Sequence, residues 1–188
     1  MTPLSLGIFA SANTTVGTSF ESIATVTVGS GGSSTITFSS IVGTYAHLQL
    51  RCLARSDRTD GGDYIQVRVN SDSGSNYAYH RLTGDGSSAS VGASSSASLI
   101  AVQRLASDYF SSSIFSGYVM DILDYANTNK YKTLRALAGF DSNGDGRIDL
   151  TSGLWQNTSA ITSIELKTAS TNSFKQYSHF ALYGIKSA

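Results

Sequence analysis

The run Tyr177-Ser-His-Phe-Ala-Leu-Tyr-Gly-Ile-Lys186 decides how the chain is read. It holds no Pro, a single Gly and almost no charge. Phe180 and Leu182 alternate with Ala181, Tyr183 and Ile185, so both faces are apolar. A short run of that kind predicts a strand covered on both sides, in the interior of a sheet. Left open at an edge, it would template aggregation. The rest of the chain is expected to close around it.

Working outward, the same period of two recurs. Tyr45 to Arg55 shows it most clearly, with Ala46, Leu48, Leu50, Cys52 and Ala54 on one face. Ile23 to Val28, Thr35 to Phe38, Tyr64 to Val69, Tyr77 to Leu82, Ile114 to Asp124, Lys130 to Phe140, Arg147 to Thr151 and Thr162 to Lys167 also read as strands. The first two flank Gly29-Ser-Gly-Gly-Ser-Ser34 and predict a hairpin. Ser98 to Arg104 reads as a strand or one helical turn. Gly84 to Ala97, rich in Gly and Ser, reads as a long mobile surface loop. About nine or ten short strands without a long amphipathic helix predict an all-β fold, an antiparallel β-sandwich with jelly-roll-like topology. One domain is expected over 21–188, preceded by an N-terminal arm over 1–20. Leu4, Leu6, Ile8 and Phe9 give that arm an apolar patch that docks on another surface. The arm resembles a signal peptide only superficially, because it lacks a basic start and Ser5 and Gly7 break its apolar run.

Charged residues make up only 14% of the 188, and 13 Lys plus Arg balance 13 Asp plus Glu. A nucleic-acid binder would need a clustered basic surplus, so that class is set aside. No stretch reaches the ~20 apolar residues of a membrane helix. A weakly charged surface has little self-repulsion and favours association. The single cysteine, Cys52, excludes an internal disulfide and alternates with Leu48, Leu50 and Ala54 as a buried, inert thiol.

Among candidate sites the loop Asp141-Ser-Asn-Gly-Asp-Gly-Arg-Ile-Asp149 is the sharpest. Asp141, Asn143 and Asp145 match positions 1, 3 and 5 of an EF-hand loop, and Gly146 the glycine at position 6. The twelfth position is Ser152 rather than a bidentate Glu, and the flanks read as strands. The favoured reading is a hairpin turn, with a weak calcium site as the alternative. Asp57, Asp60 and Asp63 with Arg55 and Arg58 read as a solvated loop. His47, His80 and His179 lack metal-ligand spacing. There is no Gly-x-Ser-x-Gly elbow, and Glu21 and Glu165 are the only glutamates, so no catalytic residues and no cofactor are assigned. Trp155, Tyr77 and Tyr79 read first as core residues, with a role as ring platforms for a glycan as the alternative.

Several phrases resemble a family of small virion structural proteins of tailed bacteriophages. These are Ser19-Phe-Glu-Ser-Ile-Ala-Thr25, Tyr45-Ala-His-Leu-Gln-Leu-Arg51, Asp121-Ile-Leu-Asp-Tyr-Ala-Asn-Thr-Asn-Lys-Tyr-Lys132, Ser152-Gly-Leu-Trp155 and Phe180-Ala-Leu-Tyr-Gly-Ile-Lys186. With shorter blocks at Thr37–Ile41, Val67–Asn70 and Gly74–Tyr77, they cover most of the chain. The resemblance implies a jelly-roll-like module on the virion surface, as a capsid decoration or cement protein or on a tail or fibre. Implied partners are copies of itself, a trimer by analogy, and the major capsid protein or tail proteins. A glycan receptor is the alternative ligand. The loop around Asp145 is not part of the likeness.

Overall fold

The computed structural model describes residues 19–169 and 171–186. It is all-β, with twelve strands: β1 (Phe20–Thr27), β2 (Thr35–Phe38), β3 (His47–Ala54), β4 (Asp63–Val69), β5 (Tyr77–Gly84), β6 (Ala89–Ala97), β7 (Ile100–Leu105), β8 (Ser116–Leu123), β9 (Lys132–Phe140), β10 (Arg147–Trp155), β11 (Ile164–Thr168) and β12 (His179–Ile185). Two antiparallel sheets pack as a sandwich, with orders β1-β12-β3-β8-β9-β10-β5-β6 and β2-β11-β4-β7.

Removing two hairpins exposes the underlying plan. Without β5–β6 and β9–β10, four strands ordered β1-β12-β3-β8 face four ordered β2-β11-β4-β7. The chain then crosses between sheets at every connection but one, the step from β4 to its neighbour β7, which is jelly-roll topology. The two hairpins both add to one side of the first sheet and double its width.

β12 lies between β1 and β3, paired to both over its whole length. Its interior position agrees with the two-sided apolar pattern. Phe180 and Leu182 are fully buried toward the second sheet, where the Phe180 ring meets Phe174 edge-on at 4.8 Å. On the opposite side no third layer covers it among the described residues. Ala181 is buried there, while Tyr183 is half-buried against Phe20, their rings stacked at 4.8 Å. Gly184 lies beneath the Tyr45 ring, in space that a Cβ would need.

The core fills the space between the sheets with the alternate residues of each strand, including Leu48, Leu50, Met120 and Ile122 from one side and Ile65, Val67, Ile164 and Leu166 from the other. Cys52 belongs to it, and burial pushes its thiol well above the ordinary range. β7 packs closely over the added hairpin, because β10 offers Gly153 there. A Cβ on Gly153 would stand 2.6 Å from Ile100 Cδ1.

Three expectations are corrected. β1 and β2 do not form a hairpin: β1 pairs with β12 and β2 with β11, so Gly29–Ser34 carries the chain from one sheet to the other. Strand-turn-strand spacing is the same in both cases, and only the partner differs. Gly84–Ala97 is not a loop throughout; Ala89–Ala97 is strand β6, whose small side chains pair against β5. The Asp57–Asp63 segment is not simply solvated. Arg55 is 2% exposed and donates to Asp108 and to the carbonyls of Phe110, Ser111 and Ile114. Asp63 is 3% exposed and accepts from Tyr64 N, Ala169 N and Asn172 Nδ2.

Candidate interaction face

The proposed glycan platforms do not survive as a group. Trp155 is 3% exposed and Tyr77 fully buried, both as core residues. Trp155 Nε1 donates to Asp72 Oδ2 at 2.7 Å, and Tyr77 Oη donates to Asp72 O at 3.0 Å. With their polar tips satisfied inside the fold, neither presents a ring face to a sugar. Tyr79, half-buried, packs against the same core.

Residues 141–146 form the β9–β10 turn, and Arg147, Ile148 and Asp149 open β10. Asn143 and Gly144 take the left-handed backbone at φ 60° and 113°, as a tight turn requires. Asp141 Oδ1 accepts from Asn143 N at 2.7 Å, and Asp145 pairs with Arg147 at 2.6 Å. The carboxylates are thus engaged within the turn. Asp149, on β10, is fully buried and accepts from Thr83 and Thr151 hydroxyls at 2.7 and 2.6 Å. Among the described residues no three His, Cys, Asp or Glu side chains converge as metal ligands. Glu21 lies on β1 and Glu165 on β11, in different sheets, so they do not share a cleft. Leu4, Leu6, Ile8 and Phe9 lie outside the described residues.

The feature that stands out is the outer face of the eight-stranded sheet. Val119 pairs with Leu137, Leu137 with Leu150, Leu150 with Leu82 and Leu82 with Val91. Directly opposed residues in an antiparallel sheet point to the same side. These five side chains therefore form one transverse row across β8, β9, β10, β5 and β6, and all are exposed, from 40% at Val119 to 83% at Val91. The next row along the strands runs Leu53, Gly117, Gly139, Ile148. Two central glycines leave a shallow apolar depression of about 570 Å³ between Val119, Leu137 and Ile148. Gly139 is needed there, since a Cβ would stand 2.6 Å from the Arg147 carbonyl oxygen.

The row on the other side is polar: Gln49, Asp121, Arg135 and Ser152. Gln49 Nε2 donates to Asp121 Oδ1 and Arg51 Nε to Gln49 Oε1, each at 2.8 Å. Arg51 also lies over the Phe20 and Tyr183 rings, at 5.3 and 5.9 Å from their centroids. This aromatic–guanidinium stack continues the apolar row toward β1. Large contiguous apolar patches are uncommon on monomers and mark interaction sites. Arg, Tyr and Phe beside such a patch match the composition of interface centres. Covering the exposed half of a large aliphatic side chain is worth roughly 1 kcal/mol. Seven such residues, Leu53, Leu82, Val91, Val119, Leu137, Ile148 and Leu150, are exposed on this face.

Sequence reasoning assigned none of these seven to a site. Leu53 is an exception to its strand's alternation. The others lie on separate strands, and only the register brings them into line. No family model, curated protein or solved structure matches the chain.

Proposed function

We propose that the protein is a non-enzymatic structural module that works by surface attachment and self-association, as a bacteriophage virion component of the capsid decoration or cement type. The observation that carries this reading is the apolar row Val119–Leu137–Leu150–Leu82–Val91, exposed on a sheet face that no other layer covers among the described residues. Such a face is costly in water and gains from being covered. The low charge density supports the same reading, since there is little net field to oppose close packing of many copies. The virion setting itself rests on the resemblance of the strand-and-turn phrases. Attachment through Leu4, Leu6, Ile8 and Phe9 would bury further apolar surface, and repetition around a symmetric particle would multiply it.

The test is localisation. The chain should be found by mass spectrometry and imaging on the exterior of purified particles. Deleting residues 1–12 should leave a folded domain that no longer joins them. Its absence from particles, or full incorporation of the shortened chain, would defeat the reading in its setting or in its mode of attachment.

A further inference from the structure

We propose that the outer face of the eight-stranded sheet packs against the same face of a second copy, about a two-fold axis running along the strands between β8 and β9. This deepens the self-association reading above by naming its contact surface.

The midline of the sheet falls between β8 and β9. Four strands, β1, β12, β3 and β8, lie on one side of it, and β9, β10, β5 and β6 on the other. An axis at that line sets β8 on β9 of the second copy and β3 on β10 of the second copy. It also maps each transverse row onto itself, because β8 and β9 are paired in register. Val119 then meets Leu137 of the second copy, and Leu53 meets Ile148. Gly117 meets Gly139, so the two depressions face each other and the backbones can approach closely.

The polar row is self-complementary under the same rotation. Asp121 and Arg135 are cross-strand neighbours within one chain. Rotation about their midline sets Asp121 of each copy against Arg135 of the other. Away from the midline the same rotation lays Leu150 on Arg51 and Leu82 on Ala181, so the apolar match is confined to the Val119–Leu137 and Leu53–Ile148 pairs. The match of opposite charges beside those central apolar pairs favours a second copy over an unrelated protein surface.

The face as a whole is of the size that an interface uses. Eight strands spaced ~4.8 Å apart and about eight residues long present a face of roughly 900 Å². A stable interface needs about 800 Å² per partner. Packed sheets cross at about 30° because each is twisted, so the contact is tightest at the midline and opens toward β1 and β6. The central pairs should therefore carry most of the affinity and Val91, at the rim, little.

The full chain should be studied by sedimentation velocity from about 1 to 100 μM, a range that resolves micromolar self-association. A dimer is expected. Leu137→Asp should weaken it by about 100-fold, as loss of a central apolar contact does. Far-UV circular dichroism and the emission of the single tryptophan should stay unchanged, since the Leu137 side chain points away from the core. Asp121→Arg and Arg135→Asp should each weaken the homodimer. An equimolar mixture of the two variants should restore association as a heterodimer. Each variant keeps its like-charged pair within the chain, so only contact between copies explains rescue on mixing.

A full chain that stays monomeric at every concentration overturns the inference. So does a trimer or dimer untouched by Leu137→Asp, or a mixture that fails to restore pairing. If removing residues 1–18 converts a monomer into a dimer, that segment covers the face and the inference is likewise overturned. Particle incorporation is a separate readout, so a monomer that still joins particles defeats this inference and leaves the proposed function standing.

Discussion

Trp155 donates its indole N–H to Asp72 Oδ2 across 2.7 Å, which ties the end of β10 to the turn between β4 and β5. Asp72 also accepts from Asn76 Nδ2 at 2.9 Å and from Gly74 N at 2.9 Å. The turn is thus shaped around one carboxylate. Asp72→Ala leaves a buried indole donor without a partner, at a cost of about 1–3 kcal/mol. At ~2–4 °C per kcal/mol for a chain of this size, the loss is readable in a thermal melt followed by tryptophan emission.

The same carboxylate predicts a pH dependence. The Trp155 hydrogen bond, helped by Asn76 and Gly74, holds the Asp72 carboxyl below its ordinary value of 3.8. The unfolded chain therefore takes up this proton first as pH falls. The contribution is complete above about pH 4–5 and is lost as pH drops through the lower folded value. Asp72→Asn should flatten the stability profile below that point, measured by denaturant titration at pH 2 to 6. A variant profile parallel to that of the original chain would refute the assignment.

Arg55 predicts a local effect. It holds the segment between β7 and β8 through three carbonyls and Asp108, at distances from 2.7 to 3.3 Å. Burial alone would raise the Asp108 carboxyl, but Lys175 and Arg55 outweigh it and keep it low. Arg55→Ala removes a buried guanidinium and its ties to three carbonyls, while Asp108 stays partly solvated and paired with Lys175, so it should cost about 1–3 kcal/mol. Limited proteolysis should then cut first within residues 107–114.

Gly153 tests the packing of the added hairpin. Gly153→Ala forces a methyl against Ile100 and should destabilise by about 1–3 kcal/mol. Combining it with Ile100→Val frees part of that volume and should recover a measurable fraction. Denaturant melts of the two variants check this directly.

For the Asp141–Asp145 turn the expected outcome is indifference to calcium. Asp145 is paired with the Arg147 guanidinium, so a cation would have to displace that charge, and Asp141 is the one other carboxylate of the turn. Millimolar calcium should leave the melting temperature unchanged and give no heat on titration. A rise that Asp145→Asn abolishes would establish the site instead.

The strands were legible because their alternation is a local property. β12 shows it best: apolar residues at every position from Phe180 to Tyr183 indicate an interior strand before any partner is known. What local pattern does not contain is pairing. Gly29–Ser34 reads the same whether it closes a hairpin or carries the chain between sheets. β6, built from Ala, Ser, Gly and one Val, has loop composition and becomes a strand only because β5 supplies hydrogen-bond partners. Arg55 and Asp63 read as solvated because charge predicts exposure, while their burial depends on loops distant in sequence. The interaction face was least visible of all. Val119, Leu137, Leu150 and Leu82 come from four strands, and each alone is an ordinary exposed aliphatic residue.

The seating of β12 between β1 and β3 has a consequence for biosynthesis. Those two ribbons touch each other only through a segment made some 150 residues after the first. Until the ribosome has released His179 to Ile185, the nascent chain carries an open slot with two sticky borders. Closure of the sheet must therefore wait for β12, and premature termination upstream of the slot yields a polypeptide destined for aggregation or degradation rather than a smaller working version.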